Sequence, residues 1–343
     1  MKTLLLNDNE SDIQTAAQIL RSGGLVGIPT ETVYGLAANA LDGEAVAKIF
    51  RAKGRPMDNP LIVHIADFDD IRRFNLVSFI PKTAERLADR FWPGPLTMIM
   101  KKSEIIPDEV SAGLETVAIR LPGHPLARRI IRAAAVPLAA PSANLSGSPS
   151  PTTARRVLED MDGKIEAVVD GGDCEVGVES TVITLVGEAP RVLRPGGVTV
   201  EELRELLGLV EVDDAVLNKL AEGASAASPG MKYKHYAPKA RVVLLKCGDS
   251  EYINYVNERG ENVAALCCDE DIPFLSVKSF SLGKRGDYAA QAQRLFEELR
   301  RLDDYSGIEV AYARLPSTEG VGLAVYNRLI RAAGFEVIDL EKN

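Results

Sequence analysis

The sequence predicts two α/β domains: a mixed-sheet, α+β-like domain over residues 1–208 and a small Rossmann-like parallel α/β domain over 241–343, joined by a linker over 209–240. Three observations carry this. At 343 residues, 46% hydrophobic and 26% charged, the chain is ordinary globular material long enough for about two domains. The stretch AEGASAASPG, 221–230, has the small, flexible composition of a linker. Ahead of it strand-like runs crowd together; behind it strand and helix alternate regularly.

Taken in order, GLVGIP (24–29) reads as a buried strand, and GEAVAKIFRA (43–52) spaces its apolar side chains as a helix does. Gly54 stands just past that helix, with Lys53 and Arg55 placed to complement the negative end of its dipole. LIVHI (61–65) is a second strand, and helices follow over 67–74 and 81–91. Further strands fall at LTMIMK (96–101), TVAIRL (116–121), VPLAA (136–140), AVVD (167–170), STVITL (180–185) and RVLR (191–194), with a helix over 153–160 capped by Thr152 or Thr153. So many strands exceed a simple doubly wound domain, which is why a mixed sheet is expected. Beyond the linker come RVVLLKC, a helix, NVAALCC, FLSVKSF, a helix over 286–302, IEVAYARL, a helix over 320–333 and FEVIDL. No GxGxxG follows the first of these strands, so dinucleotide binding has little support.

The net charge of −9 argues against a chain coated for nonspecific nucleic-acid binding, although MKYKHYAPKAR, 231–241, gathers four cations and no acid. Cys174, Cys247, Cys267 and Cys268 match neither a zinc spacing nor a disulfide framework, and read as free thiols in a reducing compartment. The N-terminal MKTLLLNDNESD turns acidic too soon for a signal peptide, and no stretch approaches the roughly 20 apolar residues of a membrane span. A cytoplasmic protein is expected.

Polar residues gather at the ends of the strands, where open α/β sheets place ligands. Thr30, Glu31, Thr32 and Tyr34 follow the first strand; Ser142, Asn144, Ser146, Ser148 and Ser150 follow VPLAA; Ser180 and Thr181 open STVITL; Arg120 and Arg194 close their own strands. Each run alone reads as a turn or a helix cap. Together with Lys53 and Arg55 they describe a concave site for an anion with a small polar companion. There is no GxxxxGK[ST], HExxH or GxSxG, and His64, His124 and His235 lie far apart without metal spacing. No protein metal site is expected. Nucleotidyl transfer needs less: cations and donors around phosphate, Mg2+ carried in by the nucleotide, and in-line positioning.

PTETVYGLAAN, KGRPMDNPLIVHI, RFWPGPLTMIM, GLETVAIRLPGHP, APSANLSGSPSPT, GVESTVI and RPGGVT, in this order, closely resemble the threonylcarbamoyl-AMP synthase family, whose catalytic unit is the YrdC-like domain. SPGMKYKHYAP and the domain after it resemble the family's long, two-domain form. The resemblance implies synthesis of L-threonylcarbamoyladenylate and pyrophosphate from L-threonine, bicarbonate or CO2, and ATP with Mg2+. The product would pass to tRNA threonylcarbamoyltransferase proteins that modify ANN-decoding tRNAs; direct tRNA binding is left open. By the same matching Lys53, Arg55, Ser142 and Asn144 are the catalytic set. Asn59, Thr116, Ser150, Arg194 and Tyr236 join Lys53, Arg55 and Ser142 on the nucleotide, and Thr32, His64, Arg120, Ala140 and Ser180 bind threonine. Thr30, Tyr34 and His235 also belong to the site, Tyr34 and His235 each being readable as well as a packed aromatic or a loop hydrogen-bonder. The linker stretch 228–238 reads as a strap across the active site; its plainer reading is a basic tether. Two rival readings stay open here: a non-enzymatic RNA-binding protein, and an adenylate-forming enzyme for another amine.

Overall fold

The computed structural model describes residues 2–218 and 236–341, which fall into two compact units. The first runs from the N-terminus to the linker, except that Gly147–Pro149 and Val176–Val178 belong with the second unit, which otherwise begins at the linker's end.

The elements of the first unit are β1 (Leu4–Leu6), α1 (Glu10–Arg21), β2 (Val26–Ile28), β3 (Gly35–Asn39), α2 (Gly43–Lys53), β4 (Ile62–His64), α3 (Asp70–Arg73), α4 (Lys82–Phe91), β5 (Leu96–Lys101), α5 (Asp108–Ser111), β6 (Thr116–Arg120), α6 (Pro125–Ala134), β7 (Leu138–Ala139), α7 (Ala154–Met161), β8 (Ala167–Val169), β9 (Thr181–Thr184), β10 (Arg191–Arg194), α8 (Val200–Leu207) and β11 (Glu211–Val212). The strands form one mixed sheet in the order β1-β8-β2-β3-β7-β4-β6-β5-β9-β10-β11. Ile13, Ala16, Ala17 and Leu20 of α1 meet Leu126, Ile130, Ile131 and Ala134 of α6 over Val26 and Ile28. Each fully buried Leu or Ile in such a cluster is worth about 1.5–3 kcal/mol.

Most elements expected from the pattern are present, with trimmed ends. The helix expected over 67–74 is only the single turn of α3, and α7 is capped by Thr153, whose side chain accepts from the Arg156 N–H. Gly54 closes α2 at φ 62°, the left-handed cap that favours glycine. Seven elements had no counterpart in the sequence pattern: β1, α1, β3, α5, α6, α8 and β11. The sequence carried signals for two of them, the Asn9 cap of α1 and the reciprocal Thr199–Glu202 capping box of α8.

The second unit contains β12 (Arg241–Lys246), α9 (Asp249–Asn257), β13 (Val263–Cys267), β14 (Lys278–Ser281), α10 (Tyr288–Asp303), β15 (Val310–Arg314), α11 (Gly322–Ala332) and β16 (Val337–Asp339). All pairings are parallel, as alternation of strand and helix requires, in the order β14-β13-β15-β12-β16. Counted within the unit this is 3-2-4-1-5; the fourth strand sits between the first and second, unlike the 3-2-1 half of a dinucleotide-binding sheet. FLSVKSF contributes less strand than expected, because 269–274 coils into a 3-10 turn first. Cys267 packs with Val243, Leu245, Tyr252 and Val256, and burial pushes its thiol up to about 12. It fills core and is not poised as a nucleophile.

Candidate active site

Strand register builds the site. His64, Arg120 and Thr97 stand in one row across β4, β6 and β5; Thr97 pairs onward with Val182, and Ser180 lies two residues before Val182. Side chains two apart share a face, so these polar groups line one edge of a single sheet face. Its middle is an apolar floor of Ile62, Ile99, Ala118, Val182 and Leu193. Thr116 shares this face at the other end of β6, four residues and about 13 Å from Arg120.

At the polar edge every group is held. Arg120, 3% exposed, donates through Nη2 to Glu31 Oε1 at 2.6 Å, through Nη1 to Thr32 Oγ1 at 2.9 Å and through Nε to the Gly94 carbonyl at 3.4 Å. Thr30 Oγ1 donates to the Val33 carbonyl at 2.6 Å, so the Thr32 hydroxyl, 2.8 Å away, donates to Thr30. A directed chain therefore runs from Arg120 through Thr32 and Thr30 into the backbone. Burial alone would raise the Glu31 carboxyl, but the charge and hydrogen bond of Arg120 outweigh it and the net shift is downward. Glu31 also accepts from the His124 N–H at 3.3 Å. It stands in the polar run after the first strand without an assigned ligand, although one acid buried among threonines must have a cation nearby.

His64 is 3% exposed, with Nδ1 3.1 Å from the Ile62 carbonyl. A carbonyl only accepts, so Nδ1 carries the proton and Nε2 keeps its lone pair. Burial first, and the charge of Arg120 second, lower its pKa from 6.5 to about 3. Between those values the unfolded chain binds a proton that the folded chain refuses, so stability falls as pH drops through the window. This group alone contributes at most about 1.4 kcal/mol per pH unit. Denaturant midpoints measured from pH 7 downward should therefore fall less steeply in His64→Gln than in the natural chain; parallel curves would show that His64 does not carry the slope.

The KGR and SAN loops are one assembly. Lys53, the last residue of α2 and 3% exposed, donates through Nζ to the carbonyls of Ser142 at 2.5 Å and Asn144 at 2.6 Å. The Ser146 N–H returns to the Lys53 carbonyl at 3.0 Å. Ser142 Oγ donates to Asn144 Oδ1 at 2.5 Å, and Asn144 Nδ2 to the Leu145 carbonyl at 2.7 Å. In this structure the Lys53 ammonium is buried and holds the loop of Ser142 and Asn144 in shape. Arg55 is half-buried just beyond Gly54. Asn59 is fully buried, and neither its Oδ1 nor its Nδ2 has a hydrogen-bond partner.

Ser180 joins the row to the RPGG turn. Its hydroxyl lies 2.7 Å from Thr97 Oγ1 and accepts from Arg194 Nη2 at 3.1 Å, while Arg194 Nε donates to the Ser180 carbonyl at 3.0 Å. A Cβ on Gly196 would fall 2.3 Å from the Thr181 nitrogen and 2.6 Å from the Glu179 carbonyl, so only glycine lets this turn lie against β9. Thr97 is a site residue missed from sequence; it is the one hydroxyl in LTMIMK. Ser150 donates to Glu179 Oε1 at 2.6 Å, and the Ala140 N–H donates to the Ile62 carbonyl at 3.0 Å beside His64.

Two further expected residues are packed aromatics. Tyr34 is fully buried, donates to the Gly172 carbonyl at 2.8 Å and accepts from the Gly171 N–H at 3.1 Å; burial drives its pKa upward. Tyr236 is packed within the second unit, its ring centroid 5.1 Å from that of Phe296. His235, and most of the linker with it, lies outside the described residues. What the edge offers chemically is a set of fixed cations and hydroxyls with no side-chain nucleophile.

Comparison with known proteins shows the family. The Sua5/YciO/YrdC family, described as telomere recombination, matches residues 18–196, and the threonylcarbamoyl-AMP synthase C-terminal domain matches 198–334. The threonylcarbamoyl-AMP synthase of Pyrococcus abyssi is 45% identical over 347 residues, covering 98% of this chain and 99% of its own. That of Bacillus subtilis is 44% identical over 339 residues, covering 97% and 96%. A crystal structure of P. abyssi Sua5 complexed with L-threonine superposes with a TM-score of 0.89 at 44% identity, over 99% of this chain and 100% of that one. The class is thereby defined: an enzyme of the nucleotidyltransferase type, a YrdC-like domain followed by a second α/β domain. The chain belongs to the threonylcarbamoyl-AMP synthase family.

Proposed function

We propose that this chain forms L-threonylcarbamoyladenylate from L-threonine, bicarbonate or CO2, and ATP, with release of pyrophosphate. The observation that carries the reading is the single sheet face that sets the row of His64, Arg120 and Thr97, with Thr32 and Ser180 beside it, about 13 Å from Thr116 over an apolar floor. Threonine binds at the first end. Its carboxylate meets Arg120, its hydroxyl or amine meets the His64 Nε2 lone pair, and the Ala140 backbone and Ser180 close the pocket. The nucleotide takes the loop of Ser142 and Asn144 that Lys53 holds, with Arg55, Thr116, Ser150 and Arg194. Asn59 supports this, since a buried amide without partners costs about 1–3 kcal/mol until a ligand satisfies it.

Threonine's amine adds CO2 to give a carbamate, whose oxygen attacks the α-phosphorus of ATP as pyrophosphate leaves in line. The chain positions both partners, stabilises charge on the phosphates and keeps water from a labile adenylate. Mg2+ arrives with the ATP phosphates. No group of three or more His, Cys, Asp or Glu among the described residues suits a metal, and Mg2+ commonly keeps phosphate oxygens and water as ligands. Among the described residues no helix is long and apolar enough to cross a membrane. The reading extends to a cytoplasmic enzyme whose product goes to tRNA threonylcarbamoyltransferase proteins.

Amino-acid choice tests the pocket. Valine replaces the hydroxyl by a methyl of similar shape and would leave buried polar groups unpaired, so it should be rejected strongly. Serine lacks one methyl, worth roughly 1–3 kcal/mol, and should retain some activity. Pyrophosphate release compared across threonine, serine and valine reads this directly; equal rates with valine and threonine would remove the threonine pocket from the account.

A further inference from the structure

Two hydroxyls meet at the end of the polar row, and the chain alone cannot satisfy both. Thr97 Oγ1 and Ser180 Oγ are 2.7 Å apart on fully buried side chains, and Thr97 Oγ1 has no other hydrogen-bond partner among the described residues. Ser180 Oγ has one more, the Arg194 Nη2 donor at 3.1 Å. A hydroxyl carries one proton and two lone pairs. The pair therefore has two protons and one oxygen–oxygen contact between them, so one proton finds no acceptor among the described residues. A buried donor left in this way is costly until a ligand meets it.

The count decides what Ser180 can take. A ligand that donated to Ser180 would still leave one of the two hydroxyl protons without an acceptor. A ligand that accepts from Ser180 satisfies everything at once: Thr97 and Arg194 donate into the two lone pairs of Ser180, whose own proton goes to the ligand. The other end of the row has the opposite polarity. Thr32 accepts from Arg120 and gives its proton to Thr30, and His64 Nε2 keeps its lone pair. Donors of a bound amino acid are thus drawn to Thr32 and His64, and acceptor oxygens to Ser180. A guanidinium has five N–H groups, and Arg120 places three on Glu31, Thr32 and Gly94. Thr97 is paired with Arg120 across β5 and β6, so one carboxylate can draw on both Arg120 and Ser180.

We propose that Thr97 is a positioning residue for the threonine carboxylate: by donating to Ser180 it turns that hydroxyl into a donor for the ligand. The proposal rests on the threonine reading above, which places Ser180 against the amino acid. Calorimetric titration of the full chain with L-threonine tests it. Thr97→Val keeps the branched shape, removes the hydroxyl and should weaken threonine binding about fivefold. In a Ser180→Ala chain the same substitution should change affinity by less than about twofold, because Thr97 then has no oxygen to act through. Thr97→Ala provides a second variant without the hydroxyl and should repeat both results, whereas Thr97→Ser should bind threonine as the natural chain does. Equal weakening with and without the Ser180 hydroxyl, no weakening at all, or a Thr97→Ser chain as weak as Thr97→Val overturns the proposal and leaves the threonine reading standing. A natural chain that binds no L-threonine removes both.

Discussion

Arg120→Ala is expected to abolish threonine-dependent pyrophosphate release and to lower folding stability by about 3–5 kcal/mol, the usual cost of breaking a buried pair from one side. The reason is Glu31, which is 7% exposed, 2.6 Å from Arg120, and kept ionised chiefly by that guanidinium against the effect of burial. The substitution also unhooks Thr32 from its donor. Arg120→Ala combined with Glu31→Ala removes the stranded charge, so the double variant should melt higher than Arg120→Ala alone while remaining inactive. Glu31→Gln, which keeps the shape, should leave catalysis possible but raise the KM for threonine, because the arginine loses the partner that aims it. A double variant less stable than Arg120→Ala would show that the pair does not behave as a buried ion pair.

Lys53→Met should cost nearly as much by a different route. The side chain keeps its length and burial but withdraws two charge-assisted bonds from the carbonyls of Ser142 and Asn144. Each buried carbonyl left without its donor costs about 1–3 kcal/mol. The loop that presents Ser142 and Asn144 then loses its fixed shape. ATP affinity should fall by about tenfold or more, whereas threonine affinity, set by the Arg120 row, should change little. Calorimetric titration with each substrate separates the two. A Lys53→Met chain that has lost threonine binding and kept ATP binding would reverse the assignment of the two ends.

The sequence showed the parts better than their partners. Polar residues following apolar strands pointed to the site, and the strands were readable because LIVHI, TVAIRL and LTMIMK carry β-branched and apolar runs between turn residues. β3 was missed because Gly35–Asn39 is one glycine, one leucine, two alanines and an asparagine, and all but the leucine are residues depleted in strands. The role of Lys53 was legible as a cation near phosphate and not as a clamp, since the carbonyls it holds lie 89 and 91 residues further along the chain. Glu31 enters the site through its ion pair with Arg120, 89 residues further along the chain; Thr97 enters through register, opposite Arg120 as His64 is, and register is a property of pairing that a single strand's pattern does not contain. For the same reason, alternation predicted a parallel second sheet without placing β15 between β12 and β13.

The central claim is that one sheet face joins threonine, CO2 and the α-phosphate of ATP. Incubating the chain with ATP, threonine and carbon-13 bicarbonate, then weighing the products by mass spectrometry, tests it most directly. The account predicts an adenylate carrying both threonine and the labelled carbon, formed in equal amount with pyrophosphate and absent when threonine is withheld. Pyrophosphate released without threonine, or an adenylate lacking the label, would contradict it.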